Sequence, residues 1–334
     1  MKQIINACVA FAAGTVCFFN AGAQKSGYHL AGTFHIASAG GWDYLAANGN
    51  KLYVSHGTQV NILDKQSGDS VGFIPNTTGV HGIAFIPALN KGYTSNGRLN
   101  TVTVFELSTN KVLSQIATGQ NPDAIMYDSY SKRIITCNGH SSDLSIIDPA
   151  TEKVTATIPV GGKPETAVSN DAGKLYVNIE DKNEIVEVSL QTNKVEKRWS
   201  LSPAEGPTGL SYDKDTKRLF AGCEKMLAVL NAENGKLVDK ITIGDGCDGV
   251  AFDKTTKTIF TSNGEGTMTV IKETSADKYE VVENLTTKRG ARTITLDEDT
   301  HAIYLPTADF EAPPAEGKRP AMIPGSFQVL VFKK

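Results

Sequence analysis

The sequence predicts an all-β fold, a seven-bladed β-propeller of four-stranded blades, and three observations carry the prediction. One short pattern recurs about every 40 residues, each recurrence brings several β-branched and aromatic runs, and no segment keeps the 3.6-residue apolar period of a helix. The pattern is a small or polar residue followed by apolar ones. It starts at Asp43, His81, Asp123, Glu165, Thr208, Asp248 and Arg292, at successive spacings of 38, 42, 42, 43, 40 and 44 residues. A two-sheet sandwich could use similar strands, but it gives no reason for a fixed interval.

Each repeat supplies its elements in the same order. The first strand runs on from the position just named. The second follows about ten residues later and reads LYVSH from Leu52, GYTSN from Gly92, IITCN from Ile134, LYVNI from Leu175, LFAGC from Leu219, IFTSN from Ile259 and IYL from Ile303. The third is seen at residues 102–106 and 144–148. A polar turn such as Ser108-Thr109-Asn110 or Glu233-Asn234-Gly235 then leads to the fourth, as at residues 111–116. The seventh repeat reaches only its third strand, residues 327–332. Residues 28–36 lie just upstream of the first repeat, where every other repeat has its outer strand. Pairing the two ends into one blade removes two open sheet edges and closes the ring. Residues 24–334 therefore read as one domain. Between Pro306 and Ser326 the last repeat inserts about 20 residues where the others use a handful, carrying Pro313, Pro314, Lys318, Arg319, Pro320 and Pro324, and a lid over one face is expected.

The first 23 residues read as a signal peptide. Lys2 precedes an apolar run over residues 4–19, and Ala21-Gly22-Ala23 has the small-residue form of a cleavage site. The run is short of the roughly 20 residues needed to span a bilayer and contains Asn6 and Thr15. An exported chain, periplasmic or secreted and cleaved after Ala23, without a transmembrane span, is expected. Cys17 follows Val16 rather than a small residue, which argues against lipidation. Removal of the leader leaves Cys137, Cys223 and Cys247, enough for one internal disulfide. Cys223 and Cys247 fall on the same face of adjoining blades and are the expected pair, with free thiols the alternative.

The 33 basic residues are balanced by 36 acidic ones, so no domain-wide cationic field favours duplex nucleic acid. The sequence holds no C-x-x-C-H motif for haem attachment, no G-x-S-x-G elbow and no readable Cys/His nucleophile pair. The second strands LYVSH, GYTSN, IITCN, LYVNI and IFTSN resemble the YVTN repeat of the YncE-like seven-bladed propellers. The segment from Ile303 to the C-terminus is similar to the proline-rich final-blade loop of exported members of that family. The resemblance implies an exported bacterial propeller. It leaves the activity open, because that scaffold serves surface-layer proteins, ligand-capture proteins, lactonase-like hydrolases and dehydrogenase subunits.

In a propeller the start of each first strand and each second-to-third loop emerge on one face. That face gathers Asp43, His81, Asp123, Glu165, Asp248 and Arg292 at the channel mouth, with Asn96, Asn138, Asn263 and Asp309 around them, as candidate ligand-binding residues. Carboxylates and imidazoles at this density suit a divalent cation or a polar ligand. His56, His81 and His140, all in the first three repeats, are the candidate metal ligands, although no tight ligand spacing such as H-x-x-x-H supports them. Asp and Asn at strand starts also cap backbone N–H groups, so a structural reading stands beside the functional one. Gly161-Gly162-Lys163 lacks the phosphate-loop spacing and reads as a turn. Three functions remain: a monomer that binds a small polar or metal-associated ligand without turnover, a scaffold for another envelope protein, and a lactonase- or lyase-like enzyme using the same ring.

Overall fold

A computed structural model describes residues 25–312 and 320–334. The expected signal peptide and the Pro313, Pro314, Lys318 and Arg319 part of the expected lid lie outside these residues. Seven four-stranded antiparallel sheets form the blades of a propeller. Six are built from four consecutive strands each, and the seventh has the order His29–His35, Gln328–Lys333, Ala302–Thr307, Thr295–Asp297. Blade 1 comprises Trp42–Asn48, Lys51–His56, Gln59–Asp64 and Ser70–Ile74. Among the described residues helix is confined to three 3₁₀ turns, Pro87–Leu89, Gly97–Leu99 and Glu180–Lys182, and no helix is long and apolar enough to cross a membrane.

The N-terminal strand closes the ring as expected. His29 pairs with Lys333 and His35 with Gln328, and Ile36 N–H continues the ladder to Phe327 O at 3.0 Å. Second and third strands lie between neighbouring blades and are buried on both faces, which explains their nearly unbroken apolar runs; Leu52, Tyr53 and Val54 are all fully buried. Outer strands such as Val112–Ala117 alternate buried and exposed positions because only one face is covered. The core is shared between blades. Leu144 and Ile146 of blade 3 pack with Leu175 and Val177 of blade 4, and Leu45 and Val54 of blade 1 pack in the same way with Tyr304 and Val329 of blade 7.

On the face away from the channel mouth, buried aspartates end four of the inner strands, at Asp128, Asp213, Asp253 and Asp297, and tie those blades to a neighbour. Lys257 of blade 6 reaches Asp213 of blade 5 at 2.9 Å, His301 of blade 7 reaches Asp253 of blade 6 at 2.8 Å, and Lys65 of blade 1 reaches Asp297 of blade 7 at 2.7 Å. The last of these spans the closure. Removing one partner of such a pair strands a buried charge.

The expected disulfide is not present: Cys137, Cys223 and Cys247 are free and buried. The Cys223 thiol lies 3.6 Å from Ala221 O and the Cys247 thiol 3.7 Å from Gly249 O, each against a carbonyl of its own strand. Burial pushes the Cys223 thiol up to about 12 and raises that of Cys247 well above the ordinary thiol range, which keeps both unreactive.

Candidate functional site at the channel mouth

Five inner strands, Trp42–Asn48, Val80–Ile86, Pro122–Asp128, Pro164–Ser169 and Cys247–Asp253, carry the expected residue in second place: Asp43, His81, Asp123, Glu165 and Asp248. In all five the pairing register slips at that point, between Trp42 and Leu45, Val80 and Ile83, Pro122 and Ile125, Pro164 and Ala167, and Cys247 and Gly249. A bulge there re-aims the side chain that falls inside it. Hydroxyls of neighbouring blades then fix the backbone. Ser95 donates to Asp123 O, Ser262 to Arg292 O, Thr293 to Asp43 O at 2.6 Å and Thr208 to Cys247 O at 2.8 Å. Gly82 allows the blades to crowd together at this height, since a Cβ on it would lie 3.0 Å from the backbone nitrogen of Ile125.

The result is a cluster spanning three blades. His81 Nδ1 lies 2.5 Å from Asp43 Oδ2 and 3.8 Å from Asp123 Oδ1, and one ligand atom from each of the three residues falls within 4.8 Å of the others. Glu165 is held by Lys163 at 2.6 Å, and Lys163 also pairs with Glu180. Asp248 accepts from Arg292 Nη1 at 2.6 Å. Burial, reinforced by Asp43, pushes Asp123 up to about 7 in spite of His81, and burial with Asp123 pushes Glu165 up to about 8 in spite of Lys163. Burial raises Asp248 to about 6 against the pull of Arg292. Burial alone would lower the His81 imidazole, but its hydrogen bond to Asp43 and the fields of Asp123 and Glu165 bring it to about 9. Near neutral pH His81 and, in part, Asp123 thus hold protons that a bound cation would displace.

Other sequence candidates have structural work. Asn96, Asn138 and Asn263 are fully buried within their own blades. Asn138 accepts from Thr136 at 2.9 Å and donates to Asp143 at 2.7 Å and Ser145 at 2.9 Å. Asn96 and Asn263 repeat the arrangement with threonines. His56 takes the equivalent place in blade 1, bonded to Ser38 at 2.5 Å and Gly40 O at 2.8 Å and stacked 3.9 Å from Phe327. His140 is exposed. The three histidines therefore do not form one ligand set; the structure groups His81 with Asp43 and Asp123 instead. Asp309 is exposed and bound to Lys288 at 2.7 Å.

Two residues at the mouth escape a reading by residue type. Lys163 follows two glycines and looks like part of a turn, yet it stands two positions before Glu165, the spacing that returns a side chain to the same side of an extended chain. Tyr44, beside Asp43, lines a cavity of about 170 Å³ with Ile83, Ile125, Met126 and Cys137. Burial and the fields of Asp123 and Asp43 raise its phenol well above the ordinary range, so it meets the cluster as a neutral hydroxyl.

No family model and no curated protein matches the sequence. Among solved structures, 1730 chains match the fold, too many for the fold to single out an activity. One is a chain of the Kuenenia stuttgartiensis hydrazine synthase, 15% identical, with a TM-score of 0.71 over 81% of this chain and 94% of that one. At this identity the likeness extends to the fold.

Proposed function

We propose that the chain is an exported, non-catalytic binding protein of the YncE-like kind, whose channel mouth takes a divalent cation or a small polar ligand held with one. The observation that carries the proposal is the convergence of Asp43, His81 and Asp123 from three blades to within 4.8 Å, in a ring whose further acids are held above their ordinary range. Two carboxylates and an imidazole suit Mn²⁺ or Zn²⁺ better than Ca²⁺, which prefers an all-oxygen shell. Loading would remove the protons of His81 and Asp123 and relieve the repulsion among the carboxylates.

A thermal-shift panel with Mn²⁺, Zn²⁺, Mg²⁺ and Ca²⁺ on chelator-treated protein tests this. Stabilisation by Mn²⁺ or Zn²⁺ is expected, with its loss in the double variant His81→Ala and Asp123→Asn. The reading fails if no cation stabilises the wild type, or if the double variant responds equally. A lactonase-like hydrolase is the second reading, favoured by the Asp43 hydrogen bond that orients the His81 ring. Turnover of a lactone panel that His81→Ala abolishes would replace the binding reading.

A further inference from the structure

We infer a second binding site, beyond the cation reading, for a small ligand that joins a flat aromatic ring to a carboxylate, seated between Trp42, Phe310 and the guanidinium groups of Arg289 and Arg292. These residues, with Pro320, line a cavity of about 390 Å³ at the junction of blades 7 and 1. Its size falls in the range of small-molecule pockets, about 300 to 1,000 Å³.

The charge on one wall calls for an anion. Arg292 already shares Asp248, but the guanidinium of Arg289 makes no ion pair or side-chain hydrogen bond among the described residues. Asp309, on the loop that carries Phe310, is bound to Lys288, the neighbour of Arg289. The backbone presenting Arg289 is fixed all the same: Thr307 Oγ1 donates to Arg289 O at 2.8 Å, and Gly290 N–H donates to Gly264 O at 2.8 Å. The side chain itself is exposed, and its planar donor fork is suited to a carboxylate.

The aromatic part of the lining calls for a flat ring. Trp42 stacks against Phe327 at 5.3 Å, while Phe310 stands 6.1 Å from the indole at 52°, a tilted pair rather than a closed stack. Phe310 is not on a loose strand end. It bridges to Met322, and Glu311 N–H to Ala321 O at 2.9 Å and Ile323 N–H to Asp309 O at 2.8 Å brace the bridge. Gly290, at φ +81°, passes so close beneath that a Cβ there would lie 3.0 Å from the Phe310 ring.

Calorimetric titration of the full chain with 2-naphthoate in the presence of EDTA separates this site from the cation site, because failure of either leaves the other measurable. Binding is expected for the wild type. Arg289→Ala and Phe310→Ala should each weaken it about tenfold or more, Arg289→Lys should restore part of the loss, and cyclohexanecarboxylate and 2-naphthalenemethanol should bind about tenfold more weakly than 2-naphthoate. Absence of naphthoate binding to wild type, equal affinity in Arg289→Ala, or equal affinity for the neutral alcohol overturns the proposal.

Discussion

At the scale of single residues, polar groups of the same type do opposite work depending on which side of a bulge they fall. Asn138 and Asp123 both sit at strand ends on one face, yet Asn138 is fully buried and satisfied within its blade while Asp123 faces His81 across a blade boundary. Replacing Asn138 by Ala should cost about 1 to 3 kcal/mol in urea unfolding, because Asp143 and the Thr136 and Ser145 hydroxyls lose a buried partner. Cation affinity should be unchanged, and an accompanying loss of cation binding would return Asn138 to the site. The repeated position was legible in the sequence, and the division of labour was not. A residue's name gives its chemistry, but whether it points to the axis or into its own blade depends on a register slip of one position, and composition does not record that slip. Lys163 shows the reverse case, its alternation with Glu165 being legible while its glycine neighbours suggest a turn.

At the scale of elements, the strands and their closure were legible because each repeat states the same apolar pattern and the last one is visibly short of a strand. The Cys223–Cys247 bridge was not correctly legible, since neighbouring positions on one face do not fix the direction of two thiols. The closing strand His29–His35 is the element whose loss tests the architecture. Deleting residues 25–36 exposes the Gln328–Lys333 edge and strips Tyr28 and Ile36 from the cores on either side of the closing blade. Loss of several kcal/mol of stability, on the order of a small domain's whole margin, or self-association through the open edge, should follow in thermal melts and sedimentation. A deleted chain that stays monomeric with an unchanged melting temperature would contradict the closure described.

For the molecule as a whole, the aspartates that tie the blades on the far face and the acids of the mouth respond to pH in opposite senses, while buried Glu273, raised to about 7 by its burial beside Asp213, follows the mouth acids. At the latch face, burial works to raise Asp213, Asp253 and Asp297, but Lys257, Thr256 and Lys65 respectively, with other hydrogen bonds, hold them below their ordinary range. Their stabilisation is complete above the unfolded carboxylate range and is lost as pH falls through their lower folded values, below about pH 4. At the mouth, Asp248, Asp123 and Glu165 are raised to about 6, 7 and 8, so the native state holds more protons than the unfolded chain between pH 4 and 8 and stability declines there as pH rises. His81, raised to about 9, contributes fully below its unfolded value of about 6.5 and is lost as pH climbs through 9. The urea midpoint of metal-free protein should therefore fall from pH 5 to pH 9, and Asp123→Asn should make the fall shallower; a midpoint that rises across this range would contradict the sign. Under the proposed function, a cation at the mouth would take the place of protons on His81 and Asp123. Calorimetric titration of the wild type with Mn²⁺ at pH 7.5, in two buffers of different ionisation enthalpy, is the most direct measurement of that exchange. The account predicts binding with release of roughly one proton or more, seen as a buffer-dependent heat. Binding with a buffer-independent heat, or no binding, would contradict it.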